Sequence, residues 1–182
     1  MKNLKLSDQA FSATLSDFQK VREKIIEDIV TTPLSKLEID SHTLYLKLET
    51  FQSVGSFKIR AGSSALENMP SEKFRNGIIT PSAGNFGQGL AKAASKRKIP
   101  ITVIAPDTSS PTKITTLQKM GAAVEIVNFN NWWDIMMSRS TVSNAAFIHP
   151  VSELSVILGN GSIGLELMKQ IPDMENIIVP VG

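Results

Sequence analysis

The sequence has no cysteine, only two histidines, and few aromatic residues, which fill 6% of its 182 positions. Without cysteine there can be no disulfide framework and no thiolate zinc site. No other metal-ligating set stands out, so no metal is expected, and a reducing compartment suits the composition. No apolar run approaches the roughly 20 residues of a membrane helix. Residues 1–10 are polar and lack the apolar stretch of a secretory signal. An excess of one charge is missing as well: 19 basic and 17 acidic side chains leave +2, which argues against nucleic acid or an anionic membrane as partner. A small anion is still allowed, because binding one needs only a local site. The expectation is a cytoplasmic protein. The rest is ordinary globular material, 42% apolar and 20% charged, so disorder is not expected. The length suits one large domain or two small ones.

Hydrophobic spacing predicts the elements. Over residues 17–30, Phe18, Val21, Ile25, Ile26 and Ile29 recur at helical intervals, and Pro33 stops the helix. Residues 43–48 alternate like a strand, with Leu44, Leu46 and Leu48 on one face. From residue 77 the pattern becomes regular. Strands at 77–80, 101–105, 123–127 and 145–149 alternate with helices at 88–97, 112–120 and 131–140. That order implies βαβ units and a parallel sheet, with strands too apolar for a sheet wet on one face. A final helix is predicted over 162–171 and a buried strand over 177–181. Boundaries near 70–76 and 150–153 divide the chain into 1–75, a small inserted α/β domain at 76–151, and 152–182.

Three segments could carry chemistry. The first is Gly55-Ser56-Phe57-Lys58-Ile59-Arg60, after the strand at 43–48 and a polar turn. A lysine near a helix start in a tight, partly apolar setting loses some of its preference for the charged form. A neutral amine is what bonding to an aldehyde requires. A solvated lysine opening a helix is the bland alternative. The second is Ser82-Ala83-Gly84-Asn85-Phe86-Gly87-Gln88-Gly89-Leu90, between a strand and a helix. Small residues let the backbone approach a ligand, and the first N–H groups of the helix face outward toward a carboxylate or phosphate. A plain helix cap by Ser82 or Asn85 explains the same pattern. The third, Gly159-Asn160-Gly161-Ser162-Ile163-Gly164, matches a dinucleotide fingerprint literally. Residues 155–158 are short for its strand, however, and no acidic residue ends the strand at 177–181. A glycine-rich start to a helix, closely packed, is the better reading.

Together the segments resemble the pyridoxal-phosphate-dependent threonine/serine dehydratase (ammonia-lyase) family. Leu44-Tyr45-Leu46-Lys47-Leu48-Glu49 leading into Gly55-Ser56-Phe57-Lys58-Ile59-Arg60 is similar to the family's lysine signature. Ser82-Ala83-Gly84-Asn85 with Gly87-Gln88-Gly89 is similar to its substrate and cofactor loop. Thr32-Pro33-Leu34, the stretch from Ala105-Pro106 to Lys113, Phe147-Ile148-His149-Pro150 and the segment from Gly159 to Glu166 follow in family order. The resemblance covers nearly the whole chain from about Asp17. It implies the α/β fold type II of these enzymes (like the β subunit of tryptophan synthase): two parallel-sheet, three-layer domains. Residues 1–75 would open the large domain and 76–151 form the small one. Residues 152–182 would return to the large domain, which is expected to be incomplete, stopping at the first glycine of the phosphate loop, Gly182.

The resemblance also implies roles. Lys58 would be the catalytic residue, bonding the cofactor and then moving a proton. Phe57 would pack near the cofactor ring, Asn85 would hydrogen-bond the ring's phenolic oxygen, and Gly182 would begin the phosphate site. Ser82, Ala83, Gly84, Asn85 and Phe86 would take the substrate carboxylate, chiefly through Ser82 and backbone N–H groups. The implied substrate is L-threonine or L-serine, the products ammonia and a 2-keto acid, and the full-length family is homodimeric. Three departures are present. Ala61-Gly62 reverses the usual order, a packing change. Phe86 stands where a histidine is frequent. Ala83 stands where serine racemases carry a serine used as a second base, which favours elimination. A chain without the phosphate loop is expected to have little dehydratase activity. A racemase, a threonine-synthase-like enzyme and a non-catalytic remnant are the alternatives.

Overall fold

The computed structural model describes residues 12–40 and 42–180. Helix α1 (Leu15–Lys24) starts at a capping box in which Thr14 and Asp17 bond reciprocally. It is shorter than the predicted 17–30. Turns replace its end, yet Ile25 and Ile29 are still buried with Val21 against Ile59 and Leu158. An antiparallel hairpin follows, β1 (Leu34–Ile39) and β2 (His42–Lys47), with Leu34 paired to Lys47 and Ile39 to His42. It turns through Asp40 at a φ of 54°. The alternation at 43–48 foretold β2 but not its partner, and Leu46 is exposed while Leu44 is half-buried.

Helix α2 (Lys58–Glu67) is reached through Gly55, whose φ of 70° suits a residue without a Cβ. Then come β3 (Ile78–Thr80), α3 (Asn85–Lys96), β4 (Ile101–Pro106), α4 (Pro111–Lys119), β5 (Ala123–Val127), α5 (Phe129–Ser138) and β6 (Ala146–Phe147). The four strands form one parallel sheet in the order β5-β4-β3-β6. The expected βαβ alternation is therefore present, and β5 has the predicted bounds. Complete burial of the strands holds for β3 but not for β5, an edge strand whose Glu125 and Ile126 are exposed.

Two further expectations fail. Helix α6 (Leu154–Gln170) starts eight residues before the predicted 162, so the segment 159–164 lies inside a helix and not at its start. Two of the three glycines there are packing surfaces: a Cβ on Gly159 would sit 2.5 Å from the Arg60 carbonyl oxygen and 2.6 Å from Ser64 Cβ, and one on Gly161 would meet the Phe18 ring. Residues 172–180 contain no strand, and Ile177, Ile178 and Val179 are exposed. Apolar content predicted a strand there, but no neighbouring strand among the described residues pairs with it. The larger core lies between the sheet, α2, α3 and α4, around Leu90, Val103 and Leu117. No helix among the described residues is long and apolar enough to cross a membrane.

Candidate active site around Lys58

Sheet order locates the first part of the site. The chain lays β3, β4 and β5 side by side, then returns through α5 to place β6 on the other side of β3. The loop that leaves the C-terminal end of β3 therefore opens at a reversal in strand order, where open parallel sheets bind ligands. That loop holds Pro81, Ser82, Ala83 and Gly84, and α3 starts at Asn85 with Gly84 as its N-cap. No side chain caps the helix, so its first N–H groups are open to an anion.

Close packing then sets the Lys58 backbone against α3, just behind this loop. A Cβ on Gly89 would fall 2.6 Å from the Lys58 carbonyl carbon, and one on Gly62 would fall 2.5 Å from the Gly89 carbonyl carbon. Helices α2 and α3 thus touch backbone to backbone, which only glycine permits. A Cβ on Gly87 would overlap the Ser82 carbonyl oxygen, so the loop folds tightly onto the first turn of α3. Lys58 is the first residue of α2 and is half-buried. Its amine lies 4.7 Å from the Phe57 ring centroid. Burial pushes its pKa below the usual 10.5.

The other expected residues divide between the loop and the core. Ser82 and Gly84 are half-buried and Asn85 is exposed at the helix start, whereas Ala83 and Phe86 are buried. Phe86 belongs to the large core. Only its backbone can serve a ligand in the loop. Gly182 lies outside the described residues. Thr80, at the end of β3, is fully buried, and its hydroxyl has no hydrogen-bond partner among the described residues.

Spacing did not reveal a buried charge network behind the lysine. Arg60 is inaccessible to solvent, and its Nε donates to Glu49 Oε2 at 2.8 Å. Its Nη1 and Nη2 donate to Glu166 at 2.9 and 3.0 Å. Lys47 donates to Glu166 Oε2 at 2.6 Å and to the carbonyl of Thr32 at 2.8 Å. The network joins the hairpin, α2 and α6. Arg60, Glu49 and Glu166 all fall within the family-like motifs of the sequence, and the available signal was a charge set among apolar and small residues. His149 is buried too. Its Nδ1 accepts from Ser152 N and Oγ at 3.2 and 2.7 Å, so its Nε2–H faces the Met136 carbonyl at 3.2 Å.

The profile of the pyridoxal-phosphate dependent enzymes matches residues 25–182. The chain belongs to this family. Among its relatives, L-threonine ammonia-lyase of Thermotoga maritima is 34% identical over 175 residues, covering 93% of this chain and 44% of that one. The catabolic L-threonine dehydratase of Staphylococcus aureus is 33% identical over 180 residues, covering 95% and 52%. Serine racemase from Dictyostelium discoideum superposes with a TM-score of 0.80 at 29% identity, covering 90% of this chain and 55% of that one. The chain spans about half the length of the curated relatives it matches. The fold is that of the fold type II members, with a partial match to their length.

The family's cofactor is pyridoxal phosphate. The residues fit its aldehyde-bearing end: a desolvated amine, a loop of small residues closed on Gly87, and an uncapped helix start. Arg60 is committed to Glu49 and Glu166, so it is not available to a ligand.

Proposed function

We propose that this chain carries the lysine and the carboxylate-binding loop of an ammonia-lyase acting on L-threonine or L-serine. The observation that carries the reading is the amine of Lys58, depressed in pKa by burial on a helix that touches the backbone of α3 just behind the 82–87 loop. Lys58 would hold the cofactor's aldehyde end and, once the substrate's amine has displaced it there, would take the proton from the substrate's Cα. Phe57 forms an apolar wall, and the Asn85 amide meets the ring's phenolic oxygen. The Ser82 hydroxyl and the N–H groups of residues 84–86 take the substrate carboxylate. The bound cofactor supplies the electron sink for the broken Cα–H bond. The β-hydroxyl would leave as water by taking that proton from Lys58, and hydrolysis of the released enamine would yield ammonia and the 2-keto acid.

Racemisation would need a second proton carrier across the substrate. Ala83, whose methyl can neither give nor take a proton, supports elimination. In this reading Gly182 begins the phosphate site. Residues 1–75 and 152–182 belong to the large domain, and 76–151, which supply all four strands of the parallel sheet, form the small one. A cytoplasmic homodimer is the setting.

The test is to mix the protein with pyridoxal phosphate, reduce with borohydride and map the label by mass spectrometry. Lys58 should be labelled first, with half-maximal labelling at a lower pH than for free lysine. Lys58→Ala should lose that label, and L-threonine should change the bound cofactor's absorbance. Label spread evenly over surface lysines, with none enriched at Lys58, would sink the reading.

A further inference from the structure

We propose that Trp132 is a positioning residue for the 82–87 loop, holding the carbonyl of Pro81 at the loop's entrance through the indole N–H. The inference rests on the reading of that loop as the carboxylate site. The indole Nε1–H of Trp132 donates to the Pro81 carbonyl at 3.1 Å, across 51 residues of sequence. Pro81 is buried and lies one residue past the end of β3, where the sheet's own ladder has stopped. A buried carbonyl without a partner costs about 1–3 kcal/mol, and the indole supplies that partner. The next carbonyl, that of Ser82, is pressed against Gly87. The start of the loop is thus fixed on one side by α3 and on the other by α5.

Helix α5 buries none of its residues, yet it is ordered locally and tied to the loop after β6 at a second point. Asn128 caps it by accepting from the Asn131 N–H at 2.9 Å. Near its other end the Met136 carbonyl meets the buried His149 ring. Phe129 lies against Trp132 with ring centroids 5.6 Å apart. Trp132 therefore links the loop to α5 without being a ligand itself. Trp133 does not share this role, being 47% exposed on the outer surface.

The sequence has only two tryptophans, so the indole N–H signals of the nitrogen-15-labelled protein reduce to two peaks, and Trp133→Phe assigns them. In protein loaded with pyridoxal phosphate, L-serine should shift the Trp132 peak and leave the Trp133 peak in place. Trp132→Phe keeps an aromatic ring and loses the donor. It should take up pyridoxal phosphate on Lys58 to the same extent as the parent, yet bind L-serine about tenfold more weakly. A melting temperature near the parent's would show that the variant folds. Should it not fold, the peak shift in the parent alone decides the matter. Undiminished serine affinity in a folded Trp132→Phe protein, or an unmoved Trp132 peak at serine saturation, overturns the proposal. Failure of the loaded parent to bind serine overturns the loop reading as well, and is recognised because it precedes any effect of the variant.

Discussion

Glu166 is the residue whose loss should cost this fold most per atom changed. It is 2% exposed, and its carboxylate faces Arg60 at 2.9 Å, Lys47 at 2.6 Å and Arg22 at 3.6 Å. In Glu166→Gln the shape is kept and the charge removed. Arg60 retains Glu49, and Lys47 retains the Thr32 carbonyl and the Gln170 amide oxygen at 2.8 Å. Both cations would still be buried with one carboxylate fewer. Breaking a buried ion pair from one side costs about 3–5 kcal/mol, a large part of the roughly 5–15 kcal/mol that holds a domain together. At about 2–4 °C per kcal/mol, the melting temperature should fall by roughly 6–20 °C. The comparison variant is Lys36→Ala, which breaks the Lys36–Glu38 pair with side chains 56% and 59% exposed. Exposed pairs contribute little, so that variant should melt near the parent.

Circular dichroism during urea and thermal unfolding measures both variants. The pH profile gives an independent check. Burial opposes ionisation of Glu166, but hydrogen bonds from Arg60 and Lys47 outweigh it and hold the carboxyl below the usual 4.5. The network's contribution is therefore present above about pH 4.5 and is lost as pH falls through the depressed value. Glu166→Gln should flatten that acid limb. Equal, small losses in Glu166→Gln and Lys36→Ala would refute the idea that buried charge pairing ties α6 to α2.

Gly159→Ala should destabilise the protein strongly, because its Cβ would meet the Arg60 backbone, whereas Gly164→Ala meets nothing within 4 Å and should be neutral or stabilising by up to about 1 kcal/mol; thermal melts of the two compare them directly. Gly89→Ala should abolish borohydride trapping at Lys58, since the intruding methyl meets backbone that cannot rotate away. His149 is held below its ordinary 6.5 chiefly by burial. Stability should thus fall as pH drops below 6.5, by at most about 1.4 kcal/mol per unit, and a urea series on His149→Gln should lose that slope.

The parts of the fold that depend on local spacing were readable. Alternating apolar runs and breakers gave the parallel βαβ succession, and the strand at 123–127 emerged with its predicted ends because Gly121 and Asn128 punctuate it. The failures share a physical origin. The helix α6 was shortened because glycines 159, 161 and 164 suggest a loop, whereas two of them serve contacts made by distant residues: Arg60 and Ser64 for Gly159, Phe18 for Gly161. Strand β1 was missed because its charged, exposed residues carry no burial pattern. In the candidate site, the lysine and the loop were legible as motifs. The indole on Pro81 and the carboxylates on Arg60 were not, because each joins residues distant in the chain, and no periodicity records such a pairing.

Helix α2 explains how a lysine with a lowered pKa can sit in this setting at all. Every residue from Ile59 to Leu66 is buried, so the helix has no solvent face and no room for a charge along its length unless that charge is neutralised, as Arg60 is. One side meets α1 through Ile59, another the sheet core through Ala61, a third α3 through Gly62. An amine midway along such a helix would be sealed from any substrate, and one on an ordinary amphipathic helix would be fully hydrated and charged. The N-terminal residue of a fully buried helix is the position that satisfies both needs, because its neighbours remove water while its side chain can still leave the packed layer. Lys58 occupies that position, and the burial that lowers its pKa follows from the helix's packing on all sides.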